Sequence, residues 1–495
     1  MRLSRTTLPN LPSSIARPAY DRQACGVGIV HLGIGAFHRA HQAIYTDDAL
    51  AAAPGNWGIC GVSLRSPAVR DALSAQDGLY SLAVKSGGGD SYRICGAVKE
   101  VICAPDDPAA TLDRLTDPAV RIVSLTVTEK AYYRSPGIGG LQADDPDILH
   151  DLEHPKTPKT ALGYLVEALA RRRARGTPAF TVLCCDNLPN NGASLAAVTA
   201  GFARLRDPGL ADWITANVAF PATMVDRIVP ATTDADKDSA AQALKLEDTG
   251  AVVSEPFTQW VIEDVFPTGR PAWEAGGALF VTDIAPYEQM KLRMLNGSHS
   301  LIAYAGYLSG CTYVRDAMAD RRLAALVGRH LAAAAATLTP LDALDYAAYG
   351  AALVARFTNP AIAHETYQIA MDGTEKIPQR LLVPAMHALQ HGQDVRPFAF
   401  AVAAWMRYCL GRTDDGQSYD LRDPLSARIG AVIAPAGDAP GSIVNTLQGI
   451  GSVFPAPLVE NDIWRAEVTD ALSGILDNGM AAAIDMEAAR TGATP

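Results

Sequence analysis

None of the eight cysteines stands in a Cys-x-x-Cys pair; Cys184 and Cys185 are adjacent and the rest are scattered. A disulfide framework or a zinc ribbon needs regular spacing, so these read as reduced, mostly buried thiols of a cytoplasmic protein. Positive charge is also scarce: 42 Lys and Arg face 53 Asp and Glu, a net charge of −11. That balance argues against a nucleic-acid binder that works by neutralising phosphates. It leaves room for an anionic small molecule, because a few local cations can govern one pocket. No apolar run reaches the length of a membrane span, and the alanine run Leu331-Ala-Ala-Ala-Ala-Ala-Thr337 is a short helix-favouring stretch. The amino-terminal segment, with Pro9 and Pro12, has no apolar core of signal-peptide length.

What is present suits a two-domain globular enzyme. The chain has 495 residues, 48% hydrophobic and 19% charged, too many for one ordinary core. Its first half alternates strand and helix. Val27–Leu32 reads as a buried strand, followed by a glycine turn and a helix from about His38 to Ala52. Trp57–Leu64 is the second strand. The β-branched run Val120–Thr128 suits a central parallel strand. Ala161–Arg175 is a helix ending in a basic turn, and Ala179–Cys185 is another strand. This order predicts a doubly wound α/β sheet of Rossmann type over residues 1–283. From about Pro286 helical periodicity dominates, over 287–308, 318–337, 342–356, 379–391, 397–410 and 461–489. The expected second domain, 284–495, is therefore mostly α-helical.

Two segments carry chemistry. Gly33-Ile-Gly35-Ala-Phe-His38 follows the first strand with two glycines of a dinucleotide fingerprint and His38 in place of the third. Gly35 would let the backbone approach a pyrophosphate, while an ordinary strand turn is the bland alternative. The second strand ends without the usual ribose-binding acid. Asp71 is the next one, and Arg65 would tolerate a 2′-phosphate, so NAD is expected with NADP open. The other segment places Lys291, Asn296 and His299 at roughly 0°, 140° and 80° on an α-helix, within one broad face. Flanking Met290, Leu292, Met294 and Leu295 would favour a neutral lysine able to act as a base. Taken singly, His299 also fits a packed core histidine and Asn296-Gly297 a turn. Glu288, three residues before Lys291, reads either as a proton relay or as a surface carboxylate. Asn187 and Glu129 sit just past strand ends, where α/β sheets bind ligands. His150-Asp-Leu-Glu-His154 and His387-Ala-Leu-Gln-His391 have metal-like spacing but no convincing third ligand, so no metal is expected.

Six motifs occur in order: Gly33-Ile-Gly-Ala-Phe-His-Arg-Ala-His41, Thr128-Glu-Lys130, Cys185-Asp-Asn-Leu-Pro-Asn-Asn-Gly192, Phe220-Pro-Ala-Thr-Met-Val-Asp-Arg-Ile-Val-Pro230, Ser254-Glu-Pro-Phe-Thr-Gln-Trp260 and Lys291-x-x-x-x-Asn296-x-x-His299. Together they resemble the polyol-specific long-chain dehydrogenase (mannitol dehydrogenase) family, over nearly the whole chain. The resemblance implies metal-independent, NAD(P)-linked hydride transfer. It implies Lys291 as general base, Asn187 and Asn296 beside the reacting oxygen, and His299 positioning the substrate. On the cofactor side it implies Gly33, Ile34, Gly35, Phe37, His38, Arg65 and Asn187, with Val225 and Asp226 near the nicotinamide end. Thr128-Glu-Lys130-Ala-Tyr, the segment around Arg293, and Tyr367–Arg380 resemble the branch that reduces fructuronate to mannonate. Gln368 stands where mannitol-oxidising members tend to carry arginine. A uronate carboxylate would call on Lys130, Arg293 and Lys376. The alternatives are a mannitol/fructose enzyme and, in a different class, a catalytically silent nucleotide-binding protein. Expected partners are a small sugar acid or polyol, with no nucleic acid and no membrane; the oligomeric state stays open.

Overall fold

The computed structural model describes residues 1–135, 140–341 and 344–490. The chain divides into two compact units, Met1–Ala285 and Pro286–Pro495.

The strands of the first unit are β1 (Val27–Leu32), β2 (Gly58–Ser63), β3 (Tyr80–Val84), β4 (Ser91–Cys95), β5 (Val98–Cys103), β6 (Ile122–Leu125), β7 (Thr181–Cys184), β8 (Thr223–Asp226), β9 (Val252–Ser254), β10 (Gln259–Glu263) and β11 (Leu279–Val281). A 5-stranded sheet runs β5-β2-β1-β6-β7, every pairing parallel. Val30 sits in register with Cys60 on one side and Val123 on the other. Such strands are covered on both faces, which is why β1 and β6 read as continuous apolar runs. β2 follows β1 on one side while β6 lies on the other, so the direction of winding reverses at β1. Open α/β sheets bind ligands at such a switch point.

The helix Ala161–Arg175 links β6 to β7. Thr160 caps its start by accepting from Gly163 N–H, and it ends at Gly176 with φ 65°. Its basic end is not wholly solvated. Arg172 turns inward and donates to the carbonyls of Leu115, Asp117, Val120 and Pro178 at 2.8–3.1 Å. Two smaller sheets, β11-β10-β8 and β4-β3-β9, depart from simple strand–helix alternation. They contain antiparallel pairs made of short strands, whose weak period-2 signal is easily lost.

The second unit is helical. Every residue of the helix Arg396–Tyr408 is buried, as expected for a helix that is apolar all round. The helices Asp462–Asn478 and Met480–Ala489 contribute Trp464, Val468, Leu472 and Ile484 to the same core. The expected helix 342–356 begins on residues that lie outside those described; the observed one is Tyr346–Phe357. The helical stretch after Ala285 changes its hydrogen-bond step. It is π-helical over Lys291–Asn296, α-helical over Gly297–Leu301 and π-helical again over Ile302–Gly306.

Candidate active site

In the first unit the glycine turn leaves β1 at the switch point. Gly33 has φ 95°, and a Cβ there would lie 2.1 Å from Thr126 O. Both facts demand glycine. Ile34 packs across Gly61, where a Cβ would meet its Cδ1 at 2.1 Å. Gly35 differs: a Cβ there would meet only Gly33 O, at 3.9 Å, so the turn is open on that side. An open glycine at the carboxyl end of the switch-point strand suits the backbone approach of a pyrophosphate. Phe37 is half-buried and stacks on His41 at 5.1 Å.

His38 takes the third glycine's place by pointing inward, its ring 3.4 Å from that of His31. His31 ties β1 to β6 through Nδ1 to Ser124 Oγ and Nε2 to Thr126 Oγ1, both 2.8 Å. Burial pushes His31 down to about 3 and His38 well below the usual imidazole range, so both are neutral. Arg65 is exposed just past β2. Val225 and Asp226 are buried at the end of β8, paired with Trp260 and Gln259 of β10.

Asn187 is exposed beyond β7, on a loop fixed by two neighbours. Asp186 accepts from Val127 N–H (2.8 Å), Thr128 N–H (3.1 Å) and Tyr132 OH (2.6 Å); burial is the main influence raising its carboxyl. Thr128 has φ 73° and ψ 155°, a conformation that is nearly glycine-only and costs of order 1–3 kcal/mol. Asn191, fully buried, donates through Nδ2 to Cys184 O, Asp186 O and Thr223 O and accepts from Thr223 N–H through Oδ1. Lys130 is exposed on the short turn that follows Thr128.

In the second unit Lys291, Asn296 and His299 are 8%, 6% and 7% exposed. The α-helical placement expected of them is replaced by a π turn. The N–H of Gly297 reaches back to Leu292 O, five residues away. The wider i→i+5 turn brings Asn296 closer to the face of Lys291 than the roughly 140° of an α-helix would. Asn296 Nδ2 and His299 Nε2 are buried without a hydrogen-bond partner among the described residues. The His299 ring lies 4.8 Å from Phe357 and 5.2 Å from His364. Burial holds His299 well below its usual pKa, and His364, Arg380, Arg356 and Lys291 push the same way.

Arg293 does not join that group, and the expectation that it meets a carboxylate is corrected here. Two residues on from Lys291, it leaves the opposite side of the helix. It donates to Thr337 O (2.5 Å) and Oγ1 (3.1 Å), closing the carboxyl end of the helix Arg321–Ala336. Lys376 is half-buried, donates to Met371 O (2.5 Å) and Ile369 O (3.3 Å), and its charge helps hold His364 down to about 4, second to burial. Gln368 is exposed on the short helix Thr366–Ile369. Arg356, Arg380 and His364 were not singled out from the sequence, because no spacing relates them to Lys291. Asn191 lay inside a recognised motif, but burial was needed to tell it from Asn187.

The histidine pairs have other uses. His150 Nδ1 bonds Asp151 Oδ1 at 3.0 Å, and Asp151 also accepts from Lys159 N–H, Thr160 N–H and Thr160 Oγ. His391 Nδ1 bonds His387 O at 2.8 Å. Among the described residues no three His, Cys, Asp or Glu side chains are grouped to hold a metal ion, and no helix is long and apolar enough to cross a membrane.

Comparison with known proteins agrees with this geometry. The mannitol dehydrogenase Rossmann domain matches residues 27–275 and the mannitol dehydrogenase C-terminal domain matches residues 283–476. The chain is 45% identical to the uncharacterized oxidoreductase YeiQ of Escherichia coli (strain K12), over 95% of this chain and 96% of the relative. It is 43% identical to the D-mannonate oxidoreductase of the same organism, over 95% and 97%. Pseudomonas fluorescens mannitol 2-dehydrogenase, solved as a ternary complex with NAD and D-mannitol, superposes with a TM-score of 0.88 at 37% identity, covering 98% of this chain and 99% of that one.

Proposed function

The chain belongs to the mannitol dehydrogenase family, and we propose that within it the protein interconverts D-fructuronate and D-mannonate with NAD. It is an oxidoreductase of the CH–OH group. The observation that carries the acid substrate is the 43% identity to the D-mannonate oxidoreductase of Escherichia coli, over 95% of this chain. The segments Thr128-Glu-Lys130-Ala-Tyr and Tyr367–Arg380, which resemble the fructuronate-reducing branch, support the same reading.

NAD fits the open turn at Gly35, with Gly33, Ile34 and Phe37 shaping it and Val225 and Asp226 assigned to the nicotinamide end; when bound it supplies the hydride acceptor. The residues of the chain manage the proton and the charge. In oxidation Lys291, as the neutral amine, takes the proton of the reacting hydroxyl; in reduction it returns it. Asn296 donates through Nδ2 to the oxygen as it gains negative charge, and Asn187 keeps the donor role its motif implies. His299 orients the substrate. Arg65, past β2, is the residue we assign to the adenosine ribose, and Lys130, Gln368 and Lys376 stay assigned to the substrate side. His38, turned inward on His31, supports the turn instead of touching the cofactor.

The test is a substrate panel followed by NADH absorbance. Fructuronate should be reduced with a higher kcat/KM than fructose, and mannonate oxidised with a higher one than mannitol. A preference for fructose would overturn the acid reading in favour of the mannitol one.

A further inference from the structure

We infer that His364 is a substrate-binding residue that reads a hydroxyl group on the substrate's carbon chain. The inference rests on the dehydrogenase reading above and adds a residue that none of the motifs marks.

His364 lies between the helices Tyr346–Phe357 and Thr366–Ile369. The backbone around it is pinned. Val314 N–H donates to His364 O (2.9 Å) and Thr366 N–H to Thr312 O (3.0 Å); Thr366 Oγ1 adds a bond to Cys311 O (2.8 Å). The ring stands edge-to-face against His299, 5.2 Å between centroids and 84° between planes. Its Nδ1 is buried without a partner among the described residues, as are His299 Nε2 and Asn296 Nδ2. His31, which ties two strands together, has both ring nitrogens satisfied through Ser124 and Thr126. Native structures leave few buried polar atoms unpaired. Three on side chains grouped around the proposed base mark a place where something else supplies the partners.

The chemistry of the group selects what that is. Burial, helped by the charge of Lys376, holds His364 down to about 4, and His299 lies lower than its usual range for the same leading reason. Two neutral imidazoles offer one donor and one acceptor each. A hydroxyl, itself donor and acceptor, complements that set. A carboxylate offers acceptors only and cannot pair with the acceptor nitrogen of a neutral imidazole. The carbon chain of a sugar acid or a polyol carries several hydroxyls, so His364 has a target in either.

His364→Phe keeps an aromatic ring and removes both nitrogens; His364→Gln restores a donor and an acceptor. With fructuronate, fructose and their mono-deoxy analogues, His364→Phe should raise KM about two- to tenfold, the loss of one hydrogen bond, with kcat within about twofold. His364→Gln should recover most of the loss. One mono-deoxy analogue should be penalised by the natural protein and not by His364→Phe. Substrate binding to the NADH complex, followed by nicotinamide fluorescence, should shift in step with KM. An unchanged KM overturns the assignment, as does a deoxy penalty that persists in His364→Phe for every analogue. A fall in kcat and Tm that His364→Gln fails to rescue overturns it in favour of a packing role. If fructose is turned over and fructuronate is not, the acid reading falls while the His364 test proceeds on fructose. If no member of the panel is either bound or turned over, both readings fall together.

Discussion

Asn191 offers the sharpest test of how the first unit holds its loop in place. Its side chain makes four hydrogen bonds, three as donor to Cys184 O, Asp186 O and Thr223 O and one as acceptor from Thr223 N–H, at 2.8–3.2 Å. Asn191→Ala strands the buried Thr223 N–H and weakens three carbonyls. An unsatisfied buried group costs about 1–3 kcal/mol. Cys184 O retains Thr223 Oγ1, so the total should be about 2–4 kcal/mol. For a unit of this size that is a fall in Tm of roughly 4–8 °C. Asn191→Asp should be worse at pH 8. It keeps an acceptor for Thr223 N–H but aims a carboxylate oxygen at three carbonyl oxygens in a buried site, which raises its folded-state pKa. The sign follows from linkage. A carboxyl whose folded pKa exceeds its unfolded value, about 3.9, is best tolerated below that value and loses stability as pH rises through the folded pKa. Asn191→Asp should therefore gain on Asn191→Ala as pH falls from 8 toward 5. Calorimetric scans of both variants across that range decide it. Asn191→Asp at least as stable as Asn191→Ala at pH 8, or growing more stable as pH rises, would refute the reasoning.

Lys291→Ala should lower turnover about 10²–10⁴-fold with little change in NADH affinity measured by fluorescence; near-normal turnover would remove it from the mechanism. Arg293→Met should lower Tm, because Thr337 loses its cap, and should change kcat/KM for fructuronate and fructose by equal factors; a selective loss on the uronate would restore Arg293 to the substrate. Arg396 binds Glu487, Glu467 and Asp470 at 2.7–2.9 Å, and Glu487 is buried. Breaking such a pair from one side costs about 3–5 kcal/mol, so Arg396→Met should loosen the final helix, seen as faster amide exchange over residues 480–489.

The parallel sheet was legible because its strands are apolar on both faces and its linking helix carries its own stop and start signals, Thr160 and Gly176. The β-branched run from Val120 to Thr128 overstated β6, which ends at Leu125. Beyond it Asp186 captures the backbone of Val127 and Thr128, a tertiary pull with no local signature. The spacing groups Lys291, Asn296 and His299 on one short segment, yet the step of the helix that presents them was not legible, since residue type alone does not distinguish an i→i+4 turn from an i→i+5 turn. Arg293 shows the reverse case. Its spacing of two residues from Lys291 already places it on the far side of any helix, and only the resemblance suggested otherwise. His364 and the two arginines that act on His299 come from distant segments, and nothing short of the folded chain brings them together.

The π turn over Lys291–Asn296 has a physical logic of its own. Such turns are rare, appear as single insertions in α-helices and recur at functional sites. Here the turn narrows the angle between two polar side chains that an α-helix would splay apart. It closes at Gly297, where a Cβ would meet His330 Nε2 at 2.6 Å and Arg380 O at 3.1 Å, so only glycine lets those two segments approach so closely. Arg380 reaches in from a second π-helical segment, Pro378–Leu382, to Asn296 O and Ser300 Oγ, each at 3.4 Å. Those contacts are long, and their worth lies less in bond strength than in placing a guanidinium against the backbone of Asn296, the residue proposed to donate to the reacting oxygen. The same charge works on His299. One arginine therefore couples the shape of the turn to the electrostatics of the site, and the glycine beside it sets how near that arginine's backbone can come.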